Sequence, residues 1–227
     1  MKNIDIITKI KSTVKYRLSV AEKATGKWAR IWFRNKSEQK RLTNHDFTII
    51  SSNCVGGVIS HDLGKRFNSP TVNTFIPPYY FVRFMENMDD YLKSELEFTD
   101  KFKMPYPVAY LKDVPIFFVH FHSEEEARQK WNVRKGRIKK DNLFVIMTDR
   151  YCCPYEALER FDKLPYKNKV CFTKKNYPEF NSCVQITKGS DETCVGIITD
   201  IVSFTGKRMY QFGFDYIKWL NDGKREG

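Results

Sequence analysis

Hydrophobic positions along this chain follow two periodicities in turn, which predicts an alternation of strands and helices. Apolar or strand-forming runs predict strands at 47–52, 116–121, 143–147, 170–172, 183–186 and 194–204. Apolar residues recurring every three or four positions predict helices at 58–67, 79–96, from 124, from Pro154, and at 209–220. This order predicts a layered α/β/α domain around a mixed, largely parallel sheet over residues 43–227.

A basic amphipathic helical arm is predicted over residues 1–42. Its apolar face is formed by Ile7, Ile10, Val14, Leu18, Ala21, Ala24 and Trp28, and Gly26 is expected to break the helix into two. The arm carries 12 Lys or Arg against three Asp or Glu, out of a net charge of +12 for the chain. Contact with an anionic membrane surface and simple packing of a basic helix on the domain both fit this pattern.

Composition limits the class of protein. The 227 residues are 41% hydrophobic and 15% aromatic, enough for a full core. Six cysteines without a C-x-x-C pair, no signal-peptide pattern and no run of about 20 apolar residues predict a cytoplasmic protein with reduced thiols. Any membrane relation is expected to be peripheral, on the inner face. Nucleic acid is not an expected partner, because charge outside the arm is near balance and RNP, GXXG and C2H2 signatures are absent.

A glycine-bearing turn between a strand and a helix is the first candidate site. Gly56 and Gly57 lie at this junction, and Asn53 precedes them. Free N–H groups at a helix N-terminus favour an anionic ligand. Without a metal, such a turn could hold a diphosphate leaving group together with Lys65 or Arg66.

Three residues of the same segment are candidate catalytic groups. Cys54 before a helix N-terminus could have a lowered thiol pKa and act as a nucleophile with His61 as base, although buried structural cysteines are common. His61 and Asp62 both lie one position off the stripe formed by Ile59 and Leu63, so we expect them to face away from the core or into a cleft. A role as general base or ligand contact and a role in surface hydrogen bonding both remain open.

Other polar residues extend the predicted site. Asn68 and Ser69 could bind a sugar hydroxyl, but Asn-Ser-Pro is also ordinary turn chemistry. His120 and His122 form an H-x-H on a predicted strand, where both would project from one face. Asp149 follows a predicted buried strand, so we expect it to share a site with the histidines and the Cys54 loop at the carboxyl edge of the sheet. The two imidazoles could reach one metal together with Asp149, but H-x-H occurs often without metal, so no metal is predicted. No cofactor is predicted either.

The basic run 134–140 has a local explanation. Ser123 followed by three glutamates predicts a capped helix start, and acids first with bases last is the order that the helix dipole favours. We therefore interpret most of this run as a solvated helix end.

Two sequence blocks resemble a bacterial domain family of unknown function whose members are often labelled exopolysaccharide or capsular-polysaccharide biosynthesis proteins. They comprise S-N-C-x-G-G, H-D-L-G and F-N-S-P-T within 52–71, and S-E-E-E-A, K-W, N-L-F-V-I-M-T-D and F-D-K-L-P within 123–165. The matching segments extend over roughly residues 46–220. The resemblance implies a role in cell-surface polysaccharide assembly, as a glycosyl- or related group transferase.

Motif absences narrow that hypothesis. The sequence contains no Asp-x-Asp, G-x-S-x-G or P-loop, so a metal-independent transferase using a nucleotide-sugar donor and a saccharide or lipid-linked acceptor is the leading hypothesis. The alternative is a non-catalytic binding or scaffolding protein of the same pathway, recruited through the basic arm.

Overall fold

The computed structural model describes residues 20–151, 153–188 and 193–223. The strands are β1 (Thr48–Ser51), β2 (Leu96–Phe98), β3 (Val108–Leu111), β4 (Val114–Phe117), β5 (Leu143–Thr148), β6 (Asn168–Thr173) and β7 (Cys183–Gln185). The helices are α1 (residues 20–29), α2 (Asn35–Arg41), α3 (Val55–Asp62), α4 (Pro78–Glu86), α5 (Met88–Lys93), α6 (Glu124–Lys135), α7 (Tyr155–Lys163) and α8 (Tyr216–Asp222). Short 3-10 turns occur at Lys140–Asn142 and Met209–Gln211.

A four-stranded parallel sheet in the order β1-β5-β6-β7 forms the centre of the fold. Alternate side chains of β5 enter two separate apolar cores, one on each face of the sheet. Leu143, Val145 and Met147 face one core, and Phe144 and Ile146 face the other. Burial on both faces explains why this strand is a continuous apolar run. The predicted α/β class is confirmed.

The antiparallel strands form a sheet of their own. β2, β3 and β4 pair in that order, each antiparallel to the next. Sequence patterns predicted only the last of them, and placed it at 116–121. β4 instead ends at Phe117, whose backbone is also bridged to Phe75.

Three further elements differ from the prediction. The helix expected at 79–96 is divided into α4 and α5 by Asn87, whose backbone is not helical. The apolar stretch expected as a strand at 194–204 contributes only one bridge, between Ile201 and Arg208, in its described part. The helix expected at 209–220 begins only at α8, because the Asp215 side chain accepts hydrogen bonds from the backbone N–H groups of Ile217 and Lys218 and so caps it.

A π-helical segment, Arg30–Arg34, connects α1 to α2. Arg30 points inward and is 2% exposed, whereas Ile31, Trp32 and Phe33 are all more than half exposed. The wider helical turn therefore presents one buried cation and three exposed apolar residues in succession. The apolar face predicted at 7–18 lies outside the described residues, and the helix break expected at Gly26 was wrong, because α1 continues through this residue.

Buried charges attach this helical segment to the domain. The Asp62 carboxylate accepts hydrogen bonds from Arg30 Nε at 2.9 Å and Arg208 Nε at 2.7 Å. Arg30 Nη2 also donates to Glu38 at 3.1 Å, and the Glu38 carboxylate accepts a further hydrogen bond from the Tyr216 hydroxyl at 2.6 Å. Two cations and two anions are thus brought together in a buried ion cluster. None of the helices in the described ranges has the length and apolar content needed to cross a bilayer.

Candidate functional site

A pocket of about 550 Å³ lies at the carboxyl ends of β1 and β5. In parallel α/β sheets, ligands gather at this edge, in the crevice between neighbouring strands. We call it the aromatic pocket; it is lined by Asn53, Cys54, Val55, Phe75, Met104, Tyr106, Phe117, Val119, His120, Arg150, Tyr151, Ile197, Ile198 and Thr199. Its wall combines apolar rings with a few polar groups, as small-molecule sites do.

Aromatic rings form one continuous side of the pocket. The ring centroids of Phe75 and Tyr151 are 4.7 Å apart, and those of Phe75 and Phe117 are 5.8 Å apart. The Arg150 guanidinium lies 4.8 Å from the Tyr151 ring centroid. Tyr151 has a φ of 61°, in the left-handed region that aromatic residues rarely adopt. Backbone strain of this kind clusters at ligand sites.

Asn53 connects the ends of the two strands that form the floor of the pocket. Its Nδ2 donates to Thr148 Oγ1 at 3.0 Å, and its Oδ1 accepts from the Val55 N–H at 3.1 Å. The Gly56 N–H in turn donates to Ser51 Oγ at 3.1 Å. Side chains therefore already occupy two amides of the α3 N-terminus that we expected to bind an anion.

The two glycines of α3 serve close packing. A Cβ on Gly56 would lie 2.7 Å from Ser51 Oγ and 2.9 Å from Ile49 Cγ2, atoms of β1. A Cβ on Gly57 would lie 3.0 Å from Val72 Cγ1. Their small size lets α3 approach the strand and the loop beside it, and the structure gives them no ligand-facing role.

Cys54 lines the aromatic pocket, but its chemistry differs from the prediction. Burial raises the pKa of its thiol, and the opposing influences of its own backbone hydrogen bond and of Arg150 do not reverse this. Its Sγ lies 4.0 Å from the Thr74 carbonyl oxygen. The expectation of a lowered pKa at this position was wrong. His61 is seven residues further along α3, about 10 Å along the helix axis, so it does not lie beside the thiol as its base.

His61 and Asp62 line a second pocket, of about 380 Å³, together with Arg30 and Arg208. The His61 side chain is 77% exposed, whereas Asp62 is 2% exposed. Burial would raise the pKa of Asp62, but hydrogen bonds and charge from Arg208 and Arg30 lower it overall. Both residues therefore lie at a cleft, one of the two orientations expected for them, but the Asp62 carboxylate is paired with Arg30 and Arg208 in the buried ion cluster.

Asp149 lies behind the aromatic pocket. Its carboxylate accepts hydrogen bonds from the backbone N–H groups of Lys174 at 2.6 Å and Val195 at 2.8 Å. It therefore attaches the segment before Ile197 to the carboxyl edge of the sheet, and this segment continues into the pocket wall. Asp149 therefore positions the wall of the aromatic pocket, because its carboxylate oxygens accept hydrogen bonds from backbone N–H groups.

The two histidines predicted to act together are separated. His120 and His122 follow β4 in an irregular segment, so the expected strand at these positions was wrong. His120 lines the pocket mouth. His122 is exposed and is not among the lining residues; its backbone N–H donates to Glu126 Oε2 at 3.2 Å. Within the described ranges, no three His, Cys, Asp or Glu side chains are grouped as metal ligands.

Lys65, Asn68 and Ser69 lie away from the aromatic pocket. Lys65 Nζ and His45 Nδ1 are 2.9 Å apart, and Asn68 Nδ2 donates to the Phe47 carbonyl at 3.1 Å. Ser69 is 1% exposed, and its hydroxyl accepts from the Thr71 N–H at 3.2 Å, as in a turn. The structure therefore does not bring Lys65 together with Gly56 and Gly57 in one anion site.

Residues 25–221 match the family model described as "Domain of unknown function (DUF1919)". The chain belongs to this family. A protein of Haemophilus influenzae, described as an uncharacterized protein, is 46% identical over 190 residues, which cover 84% of this chain and 91% of the relative. The resemblance to a bacterial family of unknown function is thus confirmed. The matched region begins within the predicted arm and includes the whole aromatic pocket.

Sequence patterns missed the residues that dominate the pocket of this DUF1919 protein. Arg150 and Tyr151 directly follow Asp149, so the rule that selected Asp149 at a strand end could have extended to them. Phe75, Tyr106 and Phe117 come from distant loops and from β4. They carry no local signal, because their proximity is created by the antiparallel sheet that the patterns did not reveal.

Proposed function

We propose that this protein binds an activated sugar in the aromatic pocket and transfers its glycosyl or a related group to a saccharide or lipid-linked acceptor in surface-polysaccharide biosynthesis. The observation that carries the proposal is the pocket itself: aromatic rings, one arginine and one histidine at the carboxyl edge of a parallel sheet. The C–H face of a sugar ring or a nucleobase can stack on Phe75 and Tyr151. Arg150 can form charge-assisted hydrogen bonds with a phosphate.

His120 is the side chain in the pocket best suited to proton transfer. It is exposed at the mouth, where an acceptor hydroxyl would enter, and an imidazole nitrogen can accept a proton from that hydroxyl. Cys54 supports the proposal less, because its raised pKa keeps the thiol protonated. The sequence resemblance supplies the link to polysaccharide, and a nucleotide sugar remains the proposed donor.

The first experiment measures donor binding by calorimetric titration and donor turnover by an activity assay, in the wild type and in variants of Arg150, His120 and His122. Nucleotide sugars such as UDP-glucose, UDP-N-acetylglucosamine and GDP-mannose are titrated into the wild type, Arg150→Gln, His120→Ala and His122→Ala proteins. Loss of the charged hydrogen bonds in Arg150→Gln should weaken donor binding by about tenfold or more. His120→Ala should lower donor turnover by about a hundredfold, whereas His122→Ala, altered two residues away, should match the wild type.

The outcomes separate the two hypotheses. If no donor binds, or if Arg150→Gln binds as well as the wild type, the proposed function is wrong. A donor that binds but is turned over at equal rates by the His120→Ala and wild-type proteins would favour the alternative, a non-catalytic binding or scaffolding protein of the same pathway.

We also propose that the helical segment at residues 20–41 contacts an anionic membrane surface on the cytoplasmic side. Four neighbouring apolar residues, Trp28, Ile31, Trp32 and Phe33, are each more than half exposed. The Lys36 ammonium lies 5.6 Å from the Trp32 ring centroid, so a cation borders the patch. Exposed aromatic rings beside lysines are typical of helices that lie in a membrane interface. Lipid-linked acceptors would be encountered there.

Vesicle flotation tests this surface. Vesicles containing phosphatidylglycerol should carry the wild type upward, and Trp28→Ser with Trp32→Ser should reduce the floated fraction severalfold because the apolar anchor is lost. Tyr155→Ser removes an aromatic side chain that is equally exposed, at 55%, but lies on α7, so it should float normally. Equal flotation of all three proteins, or none with the wild type, would contradict membrane contact through this patch.

A further inference from the structure

A second concave surface lies at the amino end of β1, opposite the end of this strand at which the aromatic pocket lies. Two adjoining pockets, of about 450 and 430 Å³, share Lys65, Arg66 and Arg137, and we call them together the basic cleft. The first pocket is lined by Phe47, which precedes β1, whereas the aromatic pocket begins at Asn53, which follows β1. The basic cleft and the aromatic pocket are therefore at different ends of the same strand.

Positive charge dominates the basic cleft. Its wall contains six cations, namely Lys65, Arg66, Lys130, Arg134, Arg137 and Lys139, and one carboxylate, Asp46. Asp46 is already paired with Lys139 at 3.1 Å. Within the described residues, the other five cations form no salt bridge. Unneutralised cations in a concave surface concentrate their field on an anion that enters it.

Arg134 gives the cleft a rigid base. It is 8% exposed, its Nη1 donates to the Val72 carbonyl at 3.1 Å, and its guanidinium lies 5.5 Å from the Phe67 ring centroid and 5.9 Å from that of Phe121. Burial and the neighbouring Arg137 lower its pKa, against a smaller opposing influence of Glu126. A buried cation without a paired carboxylate costs folding free energy. An anion bound in the cleft would offset this cost.

The arrangement differs from an ordinary solvated helix end. If the bases of α6 only offset its dipole, their side chains would remain in solvent or bond to the last carbonyls of α6. Instead, Arg134 and Arg137 reach the carbonyls of Val72 and Phe67 in another loop. Lys65 and Arg66 come from beyond the end of α3, so two separate chain segments supply the positive charge.

We propose that the basic cleft binds the phosphate or diphosphate group of a small ligand. Guanidinium groups match the geometry of phosphate oxygens, and ammonium groups add charge without a fixed direction. Because the cations are distributed over two adjoining lobes, two linked phosphates can contact more of them than a single phosphate can. The proposal is independent of the function assigned to the aromatic pocket, because no residue lines both.

Calorimetric titration with inorganic pyrophosphate at low ionic strength tests this site. The wild type should bind with a Kd below about 1 mM, and orthophosphate should bind about tenfold more weakly because it engages fewer cations. The double variant Arg66→Gln/Lys130→Gln removes two exposed cleft cations and should weaken pyrophosphate binding by at least about tenfold. Lys93→Gln/Lys175→Gln removes the same net charge from exposed positions outside the cleft and should leave the Kd within about twofold.

Several results would overturn the proposal. Absence of pyrophosphate binding would show that the cleft is not a phosphate site. An equal loss of affinity in both double variants would show that pyrophosphate responds only to the net charge of the protein. A single-stranded oligonucleotide that binds more tightly than pyrophosphate and depends on the same residues would assign the cleft to a nucleic-acid backbone instead. The basic cleft shares no residue with the aromatic pocket, so a failure of nucleotide-sugar binding there leaves the expected difference between the two double variants unchanged.

Discussion

Replacing Asp62 with alanine should lower the free energy of unfolding by about 3 to 5 kcal/mol, the cost of breaking a buried ion pair from one side. The carboxylate is 2% exposed and accepts hydrogen bonds from both Arg30 and Arg208, so its removal leaves the buried Arg30 with Glu38 as its remaining carboxylate and takes away the carboxylate paired with the part-buried Arg208. Urea unfolding followed by circular dichroism measures the change. Asp90→Ala, which removes a largely exposed carboxylate paired with Lys112, should leave the free energy of unfolding nearly unchanged, because solvent screens exposed ion pairs.

The pH dependence of this effect has a definite sign. The pKa of Asp62 lies below its ordinary value of 3.8 in the folded protein. The stabilisation is therefore fully present above the unfolded pKa and is lost as pH falls through the folded pKa. The difference in unfolding free energy between the wild type and Asp62→Asn should be constant near neutrality and should shrink below about pH 4. A difference that grows on acidification, or a loss below about 1 kcal/mol in Asp62→Ala at pH 7, would contradict the ion cluster as described.

Because Asp62 is structural, loss of function in an alanine variant at this position would not identify a catalytic carboxylate. His120, His122 and Arg150 are better positions for that question, since their side chains are at or near the surface.

Gly206→Ala should cost about 3 kcal/mol, because two separate penalties add. Gly206 has a φ of 76°, which an alanine adopts only with strain. An added Cβ would also lie 2.7 Å from the Arg30 backbone nitrogen and 2.8 Å from the Gly26 carbonyl oxygen, so the helical segment would have to move. Thermal and urea unfolding measure the loss.

Alanine variants of two other glycines distinguish the cost of backbone strain from the cost of the close contact made by the added Cβ. Gly64 has a φ of 64°, and its nearest neighbour to an added Cβ is Gln39 Nε2 at 3.6 Å, so Gly64→Ala tests strain alone and should cost about 1 kcal/mol. Gly136 has a negative φ and meets only Val133 O at 3.8 Å, so Gly136→Ala should change stability by less than about 0.5 kcal/mol. If Gly206→Ala were no worse than Gly64→Ala, the close contact with Arg30 would be absent in solution.

Local patterns were sufficient wherever one segment determined its own structure. The run 143–147 predicted β5 because a strand buried on both faces must be apolar throughout. Ser123 predicted the start of α6, and its side chain does accept the Glu126 N–H at 3.1 Å. The short strands β2 and β3 were missed, because runs of three and four residues are too short to establish a hydrophobic period.

Sequence patterns predicted only those residues of the candidate site that lie at or next to the end of a predicted strand. Asn53, Cys54 and His120 do line one pocket, and Asp149 lies directly behind it. Lys65 was assigned to the same site although the length of α3, about 12 Å, separates it from Gly56. The role of Asp62 was inaccessible, since Arg30 and Arg208 are 32 and 146 residues away along the chain.

The π-helical segment Arg30–Arg34 fixes the angular relation between two parts of one helix. Each residue added to or removed from a helix turns everything beyond it by about 100°. Deleting one residue between Arg30 and Glu38 would therefore change one of two features. Either Glu38 would turn away from Arg30, or Ile31, Trp32 and Phe33 would turn away from solvent. The spacing between Arg30 and Glu38 is thus a register that couples the stability of the domain to the orientation of its exposed aromatic surface.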